Sequence, residues 1–146
     1  MKTSLIAILL LAISQPVLAS DRNLEKFITD FDYISRIDMK IDSKELINLL
    51  MEGKAQLIDI RFNEEYAAWK VGPALSIPLN ELPQRLNEID KTKVVVTACP
   101  HKDRAIIAMV YLRYKGIEAK YLTDGLIGMA ENLRGDNAWD FIESIK

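Results

Sequence analysis

One cysteine and one histidine occur among the 146 residues. A single cysteine excludes an internal disulfide. No group of His, Cys, Asp and Glu has metal-ligand spacing, and nothing in the pattern calls for a cofactor. Glycine is scarce, with six residues, and none forms a glycine-rich phosphate loop. Repeats, low-complexity tracts and Pro/Gly/Ser linkers are missing, which points to one domain. Charge of either sign is nearly balanced at a net −2, so bulk electrostatics give no reason to expect binding to nucleic acid or a membrane surface. What is present is ordinary: 49% hydrophobic and 27% charged residues, in a chain long enough for one sizeable core.

The first residues read as an export signal. Lys2 gives a positive start, Leu5 to Ile13 is apolar but short for a bilayer span, and Pro16-Val17-Leu18-Ala19 ends in small residues. Cleavage after Ala19 would leave a periplasmic or secreted protein with no membrane attachment. A retained anchor is the alternative. A lipoprotein anchor is excluded, because no cysteine lies near the site. The resulting division is a signal at 1–19, a helical extension at 20–35 and a folded domain at 36–146.

Periodicity predicts a short helix over 21–34, with Leu24, Phe27, Ile28 and Phe31 on one face, then a strand over Ile37–Ile41. Asp42 followed by Glu45 makes a capping-box start, and Leu46, Ile47, Leu49 and Leu50 form a stripe that stops at Gly53. Strands are expected at 56–60, 74–77, 93–98 and 119–122. Helical stretches are expected at 63–69 (capped by Asn63), 80–87, 106–113, 127–133 and 138–145. The run Val94-Val95-Val96-Thr97-Ala98 is continuous in apolar character, as a strand buried on both faces should be. This alternation predicts an α/β layer structure with a mainly parallel sheet, whose ligands bind beyond the carboxyl ends of the strands.

Cys99 stands at such an end. After it come Pro100-His101-Lys102-Asp103-Arg104 and then the helix, so a strand, a tight loop and a helix N-terminus surround the thiol. Backbone N–H groups there favour a thiolate and any anion bound to it, and Lys102 and Arg104 add positive charge. The expectation is an accessible thiol of lowered pKa. A buried, inert cysteine is the competing reading.

The segment has the form C-x4-R and resembles the active loop of the rhodanese family of sulfurtransferases. A second stretch resembles the family pattern too: Asp59-Ile60-Arg61, Glu65-Tyr66, Val71-Gly72-Pro73-Ala74 and Ile77-Pro78-Leu79 align without a gap. Leu122-Thr123-Asp124-Gly125 stands where the family often has L-x-G-G. The resemblance covers roughly residues 36–135. Trp69-Lys70 replaces the usual Gly-His, Gly72-Pro73 inverts Pro-Gly, and Ala105 replaces a common serine or threonine.

The resemblance implies a three-layer fold with a mainly parallel five-stranded sheet and helices on both faces. It implies Cys99 as nucleophile and a persulfide intermediate. Pro100, His101, Lys102, Asp103 and Arg104 would enclose a small sulfur-donor anion such as thiosulfate, with a thiol, cyanide or a protein as acceptor. Asp59, Arg61 and Glu65 would be structural neighbours of the site, Arg61 pairing with Glu65. His101 and Lys102 are equally readable as solvated loop residues. Two rivals stand beside this reading. A phosphatase or arsenate reductase would use C-x5-R, one residue longer than the four between Cys99 and Arg104. A partner-loaded sulfur carrier would keep Cys99 with little free activity.

Overall fold

The computed structural model describes residues 24–146, so the expected export signal lies outside the described residues. Two short helices, α1 (Leu24–Thr29) and α2 (Tyr33–Asp38), lead into β1 (Lys40–Ile41). Then come α3 (Ser43–Met51), β2 (Ala55–Asp59), α4 (Asn63–Ala68) and β3 (Leu75–Ser76). Two 3₁₀ turns, Leu82–Gln84 and Leu86–Glu88, precede β4 (Val94–Ala98) and α5 (Asp103–Tyr114). The chain closes with β5 (Ala119–Leu122), α6 (Gly125–Asn132) and α7 (Asp136–Ser144).

The five strands pair in the order β1-β5-β4-β2-β3, all parallel. β4 is central, and its side chains alternate between two cores. Val95 joins Ile58, Ile60, Leu82, Ala108, Met109 and Leu112 under α5. Val96 and Ala98 join Leu57, Leu46, Leu126, Met129 and Phe141 under α3, α6 and α7. Helices therefore cover both faces, which is why β4 is apolar at every position but Thr97.

Local chemistry sets the ends of the elements. Asp42 accepts from Glu45 N (2.9 Å) and starts α3, as its spacing predicts. Several expectations fail: the helix expected over 21–34 is two, α1 and α2, and the stretch 80–87 forms 3₁₀ turns. Ile37 and Asp38 belong to α2 rather than to a strand, because Asp32 caps that helix by accepting from Ser35 N (2.7 Å). Asp38 then ties α2 to the sheet through Arg113 Nη2 and Lys120 Nζ, each at 2.7 Å. The division drawn at 35/36 thus falls inside α2. Asn63 does not cap α4; Phe62 precedes the helix and its N–H donates to Glu65 Oε2 (3.1 Å).

Candidate active site

β4 delivers Cys99 to its carboxyl end, and α5 starts four residues later. Thr97 fixes the spacing between them: its hydroxyl donates to Ala105 O (2.8 Å) inside the first turn of α5 and lies 3.2 Å from Lys120 O. The first turn of an α-helix leaves its N–H groups without intrahelical partners. Here the amides of Ala105, Arg104 and His101 bear on the sulfur and favour its anion.

α6 holds the loop from behind. Leu126 N donates to Cys99 O (2.9 Å) and Ile127 N to Pro100 O (3.3 Å). Gly125 makes this approach possible. Its φ is +65°, and a Cβ there would lie 2.2 Å from His101 O and 2.3 Å from Pro100 O. The contact between α6 and the loop is tertiary, and the pattern Leu122-Thr123-Asp124-Gly125 does not reveal it.

Cys99 is 0% exposed, and this corrects the expected accessible, acidic thiol. Burial pushes its pKa up; the loop amides oppose that, and the Asp103 carboxylate adds to it. The thiol donates to Asp103 Oδ1 at 3.5 Å. Neither expected cationic side chain makes a hydrogen bond to the sulfur among the described residues. Lys102 is exposed, as is His101, while Pro100 is half-buried. Arg104 turns to Glu65 in a two-point pair, Nη1–Oε2 at 2.7 Å and Nη2–Oε1 at 2.8 Å. That guanidinium, first of all by hydrogen bonding, holds the Glu65 carboxyl down at about 2. The sulfur nevertheless lies just beneath the surface, since Asp103, its hydrogen-bond partner, is exposed.

The partner of Arg61 is also corrected. Its Nε and Nη2 bind both oxygens of Asp59 (2.7–3.1 Å), Nη2 also donates to Trp69 O (2.7 Å), and Nη1 reaches the Glu65 carbonyl rather than its carboxylate (3.4 Å). The Trp69 ring stacks on the guanidinium at 4.2 Å. Asp59 and Arg61 are both fully buried, a matched pair that stiffens the end of β2 beside the Cys99 loop. Among the described residues, no group of three or more His, Cys, Asp or Glu is placed to hold a metal ion.

The thiol stands at the end of the central parallel strand, facing the amides of His101 in the loop and of Arg104 and Ala105 at the start of α5. The rhodanese-like domain family matches residues 42–131. The chain belongs to the rhodanese-like family. It is 33% identical over 97 residues to a sulfurtransferase of Allochromatium vinosum, covering 66% of this chain and 81% of that protein. A rhodanese-like domain protein of Staphylococcus aureus superimposes with a TM-score of 0.57 at 31% identity, over 62% of this chain and 89% of that one. A thiosulfate sulfurtransferase of Pseudomonas aeruginosa superimposes with a TM-score of 0.61 at 26% identity, over 70% of this chain but 20% of that one. The chain spans between 50% and 81% of the length of curated relatives it matches.

Proposed function

We propose that the protein transfers sulfane sulfur through a persulfide on Cys99. The observation that supports this most is the sulfur facing the amides of Ala105, Arg104 and His101 at the start of α5. The Cys99 thiolate attacks the outer sulfur of a sulfane donor and the rest of the donor leaves, as sulfite where that donor is thiosulfate. The new S–S bond puts a negative charge on the terminal sulfur, where loop amides and the helix N-terminus stabilise it. A thiol, cyanide or a protein acceptor then removes that sulfur. The chain is proposed to work outside the cytosol after cleavage at Ala19, which intact mass of the mature protein beginning at Ser20 would test.

Mass spectrometry after exposure to sulfane donors tests the central step. Wild type gains one sulfur atom per chain, and Cys99→Ser gains none. A wild type left unmodified by every donor would remove the persulfide reading for small donors. A partner-loaded carrier is the second reading, and the complete burial of Cys99 favours it. It expects loading by a persulfidated protein where small donors fail. Hydrolysis of generic phosphate esters should be absent, because the loop between Cys99 and Arg104 is one residue short of a phosphatase loop.

A further inference from the structure

We propose that the Asp103 carboxylate selects the sulfur donor, turning away dianions such as thiosulfate and admitting sulfane sulfur on an uncharged carrier, an organic persulfide in its protonated form. The proposal rests on the persulfide reading of Cys99 and narrows its substrate class.

Every charged group facing the sulfur enters the argument. On α4, Glu65 cancels Arg104 through both guanidinium nitrogens. At the end of β2, Asp59 cancels Arg61 in full burial. At the start of α6, Asp124 is turned to Ser43 N (3.1 Å). On the loop, Lys102 and His101 are exposed. Asp103 touches the sulfur directly, with Oδ1 at 3.5 Å from Sγ, whereas Arg104, whose charge also reaches the sulfur, is already paired with Glu65. The Arg104 amide, which bears on the sulfur, bears on this carboxylate as well and is the main cause of its lowered pKa. An anionic donor therefore meets a like charge at the reacting atom and competes with it for a main-chain donor. A donor without charge meets neither obstacle.

The step balances without an oxidant. The outer sulfur of R–S–SH bonds to Cys99 Sγ while the R–S–SH sulfur–sulfur bond breaks, and its electron pair leaves on R–S. The proton lost by the Cys99 thiol, already directed at Asp103 Oδ1, ends on the departing thiolate. Cys99–SH and R–S–SH become Cys99–S–SH and R–SH.

Two alkylating reagents of similar size but different charge isolate the selection from overall reactivity. Iodoacetate is anionic and iodoacetamide neutral, and both react at Cys99 without any sulfur transfer. Asp103→Asn and Asp103→Ser should each raise the iodoacetate-to-iodoacetamide rate ratio by about tenfold, the effect of removing one close like charge. Asp103→Glu should keep the wild-type ratio. A mere change in loop packing would move both reagents together and leave the ratio fixed. An unchanged ratio in a folded neutral variant overturns the proposal, even if persulfide forms normally. A shifted ratio supports the selection even if no donor loads Cys99, which would then sink the persulfide reading alone. In loading assays, the neutral variants should gain about tenfold with thiosulfate. They should gain less with the persulfide of N-acetylcysteine methyl ester. Equal gains would also overturn the proposal.

Discussion

The carboxyl ends of β2 and β4 lie side by side, and each is followed by an arginine. Arg61 is sealed: fully buried, bound to both oxygens of Asp59, capped by Trp69 and directed at two carbonyls. Arg104 is held by Glu65 at a quarter exposure, with its guanidinium paired to that carboxylate and its amide turned toward Cys99. The same residue type serves as a lock at one strand end and as a supplier of main-chain hydrogen bonds at the other. Glu65 joins the two, its carbonyl accepting from Arg61 and its carboxylate from Arg104. Charge at this site is spent on rigidity, and the donors left for chemistry are backbone groups.

The difference can be broken at four points. Arg61→Met should be the most destabilising change, about 3–5 kcal/mol, because it strands the Asp59 charge in the interior; denaturant unfolding measures it. Gly125→Ala should cost about 2–3 kcal/mol through backbone strain and the overlap with His101 O. It should also lower persulfide loading, since the Cys99 loop must move. Glu65→Gln should cost about 1 kcal/mol or less, because the pair with Arg104 is partly exposed and screened by solvent. Its signature is in the pH dependence. The Glu65 carboxyl titrates at about 2 in the fold against an ordinary 4.5, so its contribution is intact above about pH 4.5 and is lost as pH falls toward 2. Acid unfolding of the variant should therefore be shallower over that interval. Lys102→Ala should change stability by less than about 0.5 kcal/mol, as at other exposed positions. Its kinetics should be unchanged, as a solvated lysine predicts; a raised KM for thiosulfate would show that Lys102 reaches the donor.

The parts of this architecture built by local rules were legible in the sequence. The Asp42 cap, the β4 run into Cys99 and the span of β5 all rest on neighbouring residues. Ile37–Ile41 misled because five alternating residues also fit the end of a helix, and the Asp32 cap decides between them. In α5 the buried face is Ala105, Ala108, Met109 and Leu112, while Ile107 is more than half exposed. Small residues pack closest to the sheet there, which an apolar stripe does not reveal. The partners of the two arginines were out of reach for a different reason. Arg104 and Glu65 are 39 positions apart, and only the adjacency of β2 and β4 makes them neighbours. The burial of Cys99 likewise depends on where α5 settles over the sheet.

The grip of α6 on the carbonyls of Cys99 and Pro100 has a geometric corollary. With the Pro100 oxygen drawn backward, its peptide plane turns the His101 N–H toward the reacting atom, whereas the Cys99–Pro100 plane has no N–H to offer. Lengthening the turn by one residue would slide Pro100 off Ile127 and tilt those planes. The length of this turn is therefore tied to α6, and changing it would demand that α6 be rebuilt as well.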